Sequence, residues 1–145
     1  MISRIKCITI SLTLMLAASA SFADTISTPL QIYTGHTSSV FCVAFSPDGS
    51  QILTGSVDDT AKLWNKSSGL EIRSFIGHTD WVHVAKFSQD GTQVVTGSYD
   101  HTAKLWDKEI GTETRSFIGH TDIVWDVSFS PDGTEIGRAS CRERV

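Results

Sequence analysis

Hydrophobic and polar positions along this chain recur at a long interval as well as a short one. Val40, Cys42 and Ala44 alternate with Phe41, Val43 and Phe45, so both faces of that run are apolar; Val82 to Phe87 stands in the same place 42 residues later. Runs that are apolar on both faces suit strands covered on both sides. Ser46-Pro47-Asp48-Gly49 follows the first run, with Pro at the second turn position and Gly at the last, which predicts a tight hairpin. Ser88-Gln89-Asp90-Gly91 and Ser130-Pro131-Asp132-Gly133 repeat that turn. A second strand is predicted over Gln51 to Ser56. Val57-Asp58-Asp59 then leads into a third over Thr60 to Asn65, and a fourth covers Leu70 to Phe75. Four short strands per interval, with turn residues between them, predict an all-β array.

The interval is a true repeat. Gly35–Ile76 and Gly77–Ile118 align without gaps and share 25 of 42 positions, and a third copy opens at Gly119-His120 and runs to Thr134 before the pattern breaks. A unit of this size cannot bury its own apolar face, so each copy must stack on its neighbours. The Gly35-His36 opening and Leu63-Trp64-Asn65 closing return as Gly77-His78 and Leu105-Trp106-Asp107. In these marks the chain resembles the WD-repeat β-propellers, whose period is roughly 40–45 residues. The resemblance covers Leu30 to about Thr134; repeat one closes on Trp-Asn instead of Trp-Asp, and the third copy does not reach its Trp. It implies an incomplete β-propeller of four-stranded antiparallel blades, with two complete repeats and part of a third. It also implies that the outermost strand precedes Gly-His. Leu30 to Thr34 would be that strand, with Leu30 and Tyr33 matching Ile72 and Phe75, and it would complete the last blade of a closed ring. Propellers usually close with about 4–8 blades. Two and a part leave an apolar face in water at each end, so residues 24–134 alone are predicted to be poorly soluble.

One polar set recurs in register: His36, Thr54, Asp58 and Trp64, then His78, Thr96, Asp100 and Trp106, both at intervals of 18, 4 and 6 residues. A hydroxyl, an imidazole and a carboxylate are also the parts of a nucleophilic triad. Repetition decides against that reading, because catalysis needs one asymmetric site and a stacking unit needs the same fastener every time. The set is therefore read as a buried hydrogen-bond chain, in which indole N–H, hydroxyl, imidazole and carboxylate satisfy one another. In the family it resembles, matching positions tie the inner strands to the Gly-His loop. His83 and His101 stand without a repeated partner, and no His/Cys spacing resembles a metal site. The Asp-Gly turns lack the alternating oxygen ligands of a calcium loop. No catalytic residue, cofactor or metal is expected.

The two ends change the charge balance. Arg4 and Lys6, an apolar run from Ile8 to Ala18, and Ser21-Phe22-Ala23 make residues 1–23 look like a secretory leader cleaved near Ala23. That apolar run is shorter than the roughly 20 residues a spanning helix needs. The mature chain is expected to be periplasmic or secreted, without a membrane anchor. Residues 136–145, IGRASCRERV, back-translate to a string that looks like a short-read sequencing adapter read in frame, the other reading being a divergent terminus or a frameshift; on the first reading the propeller fragment is residues 24–135. Five of the 12 Lys and Arg (Arg4, Lys6, Arg138, Arg142, Arg144) and one of the 16 Asp and Glu (Glu143) lie in these ends. Residues 24–135 thus carry 7 basic and 15 acidic residues, a net charge of −8. An acidic surface gives no electrostatic reason to bind nucleic acid. Of three cysteines, Cys7 lies in the leader and Cys141 in the tail, leaving Cys42 without a disulfide partner.

Radially stacked blades present loops on a rigid frame, and the resemblance implies a non-catalytic scaffold that binds other proteins or peptides. Candidate contact residues are loop positions that differ between otherwise alike repeats: Ser39, Trp81 and Ile123 before the first inner strand, and Val57 and Tyr99 just ahead of the Asp. Trp and Tyr are enriched where binding energy concentrates. Packing of Trp81 between blades is the other reading of that residue. The rival function is an accessory propeller module of a larger secreted or periplasmic enzyme whose catalytic domain lies elsewhere. Nothing in the sequence points to a homo-oligomer.

Overall fold

The structure, a computed structural model, describes residues 31–130, 133, 136 and 137. The leader read over residues 1–23 and the tail from residue 138 onward lie outside them. Eight strands form two four-stranded antiparallel sheets. The first contains β1 (Val40–Phe45), β2 (Gln51–Ser56), β3 (Thr60–Asn65) and β4 (Glu71–Ile76), in the order β1-β2-β3-β4. The second repeats that order with β5 (Val82–Phe87), β6 (Gln93–Ser98), β7 (Ala103–Asp107) and β8 (Glu113–Phe117). A partial third sheet pairs β9 (Ser128–Phe129) with β10 (Ile136–Gly137). The fold is all-β: two blades and part of another.

The hairpins form where the turn residues fall. Gly49 N–H donates to Ser46 C=O at 2.8 Å, and Gly91 N–H to Ser88 C=O at 3.0 Å, with both glycines in the left-handed region at φ 71° and 70°. Glycine adopts that conformation without a steric penalty. Asp48 caps its turn by accepting from Ser46 Oγ at 2.6 Å and from the Ser50 amide at 3.0 Å. Those donors hold its carboxyl down at about 2. β4 starts one residue later than the sequence predicts, because Leu70 C=O closes the preceding turn by accepting the Asn65 N–H at 2.9 Å. The outer strands are tied inward by a repeated cluster: Lys62 Nζ reaches Glu71 at 2.8 Å and Ser74 at 2.6 Å, and Lys104 Nζ reaches Glu113 at 2.7 Å and Ser116 at 3.0 Å.

The core lies in the seams between sheets. Leu53, Ala61, Leu63 and Phe75 of the first sheet bury against Val82, Ala85, Val94 and Trp106 of the second, with Phe75 and Trp106 ring centroids 5.8 Å apart. Val84, Val95 and Ala103 form the next seam with Val124 and Val127 of the third repeat. Each fully buried Leu, Val or Phe contributes about 1.5–3 kcal/mol. Gly55 and Gly97 are required here by close approach: a Cβ at Gly97 would lie 2.7 Å from Val124 Cγ1 and 2.8 Å from Val84 Cγ1.

Two expectations are corrected. First, β1 is not covered on both faces. Val43 and Phe45 are each 59% exposed, whereas Ala85, the counterpart of Val43, is 3% exposed. The Ala85 face of β5 packs on the first sheet, and among the described residues no sheet precedes β1. Second, residues 31–34 form no strand, and Leu30 lies outside the described residues. A strand needs a partner strand, and among the described residues none pairs with this segment. Tyr33 nevertheless takes the place that its match to Phe75 implies. Its ring meets Trp64 edge-on at 6.0 Å, where Phe75 meets Trp106 at a tilt and 5.8 Å, and its hydroxyl donates to Lys66 C=O at 3.0 Å.

Candidate functional site

The recurring polar residues come together in both blades as hydrogen-bond chains. Trp64 Nε1–H donates to Thr54 Oγ1 at 2.8 Å, Thr54 Oγ1 lies 2.7 Å from His36 Nε2, and His36 Nδ1 lies 2.8 Å from Asp58 Oδ2. In the second blade the same three distances are 2.9 Å for Trp106–Thr96, 2.7 Å for Thr96–His78 and 2.7 Å for His78–Asp100. The strands fix the geometry: Thr and Trp stand on adjacent strands, Asp follows the second strand, and His arrives on the Gly-His loop. Glycine precedes His because the loop lies on the indole. A Cβ at Gly35 would sit 3.0 Å from Trp64 Cη2, and one at Gly77 3.1 Å from Trp106 Cη2.

The indole can only donate, so Thr Oγ1 accepts from it, and the threonine hydrogen is directed to His Nε2 or to the cross-strand C=O of Lys62 at 3.3 Å or Lys104 at 3.5 Å. The carboxylate accepts from the imidazole Nδ1–H. Burial depresses the basicity of His78 against the opposing pull of Asp100. Desolvation alone would raise Asp58, but donors from Thr60, the Thr37 amide and His36 outweigh it and bring the carboxyl to about 2. Asp100 is lowered by Thr102, His78 and the Thr79 amide in the same way, against its desolvation. Thr60 Oγ1 donates to Asp58 Oδ1 at 2.6 Å, and Thr102 Oγ1 to Asp100 Oδ1 at 2.7 Å. With Thr96 fully buried and its oxygen occupied by indole and imidazole, no electrophile can reach that hydroxyl. The arrangement fastens a loop to two strands.

The five candidate contact residues gather at one end of the sheets. Ser39 C=O accepts the Val57 N–H at 2.9 Å and Trp81 C=O accepts the Tyr99 N–H at 3.0 Å, so each variable pair is joined through the backbone. Ile123 sits on the third repeat's matching segment, where Val124 N–H donates to Ser98 C=O at 3.1 Å beside Tyr99. Ser39 is exposed, Val57, Tyr99 and Ile123 are half-buried, and Trp81 is 39% exposed. The Trp81 ring packs on Phe41 of the neighbouring blade at 5.6 Å and on Tyr99 at 5.1 Å and keeps an open face.

Three aromatic residues at this end escaped the sequence reading. The ladders of β1 and β5 skip Phe41 and His83: Val40 pairs with Ser56 and Cys42 with Gly55, and Val82 pairs with Ser98 and Val84 with Gly97. Each skipped residue is the extra member of a β-bulge, which re-aims its side chain. Trp125 occupies the same repeat position, 42 residues beyond His83. Phe41, Trp81, His83, Tyr99 and Trp125 form one continuous ring cluster across three repeats, with centroid separations from 4.9 Å for His83–Trp125 to 6.5 Å for Phe41–Tyr99. His83 Nδ1 is buried there without a hydrogen-bond partner, and burial lowers the basicity of the ring. Phe41 was read as a covered strand residue and His83 as a lone histidine; their shared repeat position was the available signal.

Elsewhere, Cys42 is half-buried and free, and burial raises its thiol to about 11. Among the described residues no group of three His, Cys, Asp or Glu side chains is placed to hold a metal ion.

The family pattern for the WD domain, G-beta repeat, matches the chain three times, over residues 27–65, 69–107 and 111–142. The chain is similar to the Ribosome biogenesis protein BOP1 homolog of Anopheles gambiae, at 49% identity over 43 residues, 30% of this chain and 5% of that protein. It is similar to the Notchless protein homolog of Arabidopsis thaliana, at 51% over 35 residues, 24% of this chain and 7% of that protein. Protein Mut11 of Chlamydomonas reinhardtii is 45% identical over 40 residues, 28% of this chain and 11% of that protein. The matched stretches thus span only small parts of these relatives.

Proposed function

We propose that this chain, which belongs to the WD-repeat family, is part of a non-catalytic scaffold that holds other proteins or peptides at the end where its variable loop residues meet. WD-repeat domains typically serve as protein-interaction scaffolds. One observation carries the reading to this surface: repeats that share 25 of 42 positions differ at residues 39 and 81 and at 57 and 99, and these positions converge in space on an open aromatic cluster. A constant frame with variable, partly exposed rings is what recognition requires.

Peptides selected from a random display library on the immobilised full chain test it. Peptides held by this surface lose at least tenfold in affinity when Trp81→Ser and Tyr99→Val give repeat two the residues of repeat one. Affinities unchanged in that variant would overturn the reading. Export to the periplasm or the cell exterior is a further proposal, supported by the leader pattern of residues 1–23 alone. Fractionation of cells carrying the tagged gene tests it, and retention of uncleaved chain in the cytoplasm would reject it.

A further inference from the structure

We propose that the ring cluster of Phe41, Trp81, Tyr99 and Trp125 receives a cationic side chain, Lys or Arg, from a basic peptide segment. The inference rests on the reading of this end as the contact surface and adds the chemistry of the partner.

Three features of the cluster point the same way. The rings are open: Phe41 is 45% exposed, and Trp81 and Trp125 are 39% exposed each. Trp and Tyr present a negative ring face that attracts ammonium and guanidinium groups within about 6 Å, Trp most strongly. Among the described residues, the cations that lie over rings are elsewhere, with Lys66 over Phe45 and Arg115 over Phe117.

The rim is acidic. Asp80 immediately precedes Trp81 and Asp122 precedes Ile123; Asp100, which follows Tyr99, is buried and paired with His78 and is not counted. Asp59 of the first blade adds a further carboxylate. Its carboxyl is raised above the ordinary range by desolvation and by repulsion from Asp80, Asp58 and Asp100. Carboxylates crowded to that degree gain from an incoming positive charge. Asp126, next to Trp125, is already matched by Lys86 at 2.5 Å and is not counted in the rim. His83, the one basic-type residue inside the cluster, is held toward its neutral form by burial and does not oppose a cation.

An apolar or acidic partner fits less well. The first would leave the rim carboxylates facing apolar surface, and the second would meet like charge across the whole patch. A stabilisation of about 0.5–2 kcal/mol per cation–ring contact corresponds to roughly two- to thirty-fold in affinity.

The test is a set of 12-residue Gly/Ser peptides carrying two Arg, two Gln or two Glu, titrated against the full chain immobilised at low density, in low salt and in 0.5 M salt. The Arg peptide should bind at least tenfold tighter than the Gln peptide, and part of that preference should survive high salt. Trp81→Leu and Trp125→Leu, which keep apolar bulk without the ring face, should each reduce the preference at least threefold. Near-UV circular dichroism checks that the buried Trp64 and Trp106 keep their environment. Should either variant unfold, protection of Trp81 and Trp125 from N-bromosuccinimide by the Arg peptide in the unaltered chain gives the same answer. Equal binding of Arg and Gln peptides overturns the proposal, as does an Arg preference untouched by both Leu variants, which would reflect overall negative charge. If Gln or Glu peptides bind best and still depend on Trp81, the contact surface stands and the cationic partner is rejected.

Discussion

Replacing Thr96 by valine keeps the shape of the side chain and removes the oxygen on which two buried donor–acceptor groups converge. Thr96 Oγ1 accepts from Trp106 Nε1 at 2.9 Å and meets His78 Nε2 at 2.7 Å; the residue has no solvent exposure. After the change, an indole N–H and an imidazole nitrogen are both left unpaired where water cannot reach. Each unpaired group costs about 1–3 kcal/mol. The added methyl returns somewhat less than about 0.8 kcal/mol through burial. The net loss should therefore be about 1–5 kcal/mol. Thr114→Val is the matched control, since Thr114 is exposed and makes a single bond to Leu105 C=O at 3.1 Å; it should change stability by no more than about 0.5 kcal/mol. Urea unfolding of the full chain followed by tryptophan fluorescence reads both. A double-mutant cycle with Trp106→Phe separates the hydrogen bond from the lost volume: with Thr96 already gone, the second substitution should cost at least about 0.5 kcal/mol less than it does alone. Equal stability of Thr96→Val and Thr114→Val, or strict additivity in the cycle, would refute a shared buried oxygen as the link.

Burial lowers the folded-state basicity of His78, so the unfolded chain binds the extra proton first and stability should fall as pH drops through about 6.5; His78→Gln should flatten that slope in urea midpoints, and an unchanged slope would contradict the assignment. Asp58, held at about 2 against an ordinary 3.8, contributes stability that is present above 3.8 and lost between 3.8 and 2; Asp58→Asn should remove that acid-range component of the profile. Gly97→Ala forces a Cβ to within 2.7 Å of Val124 Cγ1 and 3.2 Å of Val124 C=O, so the third repeat should lose its seat at a cost of about 1–3 kcal/mol, seen as faster proteolysis beyond residue 118. Val43 and Phe45 leave an apolar face open on β1, so the isolated chain should self-associate, and Val43→Glu with Phe45→Lys should reduce that association in sedimentation without lowering the melting temperature; a monodisperse unaltered chain would contradict it.

Much of this fold is legible in one chain because the sequence states it twice. β1, β2, β3 and β5 lie where alternation and turn residues place them, and the intervals of 18, 4 and 6 residues mark every member of the fasteners before any geometry is known. What was not legible depends on neighbours. The exposure of β1 follows from what lies beside it, which its own residues cannot encode; Val43 and Ala85 hold equivalent positions with opposite burial. The bulges at Phe41 and His83 come from the mismatch between one strand and its partner, and neither residue type announces one. The aromatic cluster is therefore only half visible in the sequence, through Trp81 and Tyr99, because Phe41 reads there as one residue of a covered strand.

Hydrogen exchange of the four indole N–H groups, followed by NMR on the folded chain, tests the sealed fastener most directly. Trp64 and Trp106, each 1% exposed and bonded to a threonine oxygen, should exchange only when their blades open, orders of magnitude more slowly than Trp81 and Trp125, each 39% exposed. Rapid exchange at Trp64 and Trp106, matching the two exposed indoles, would show that these chains of hydrogen bonds do not close the blades.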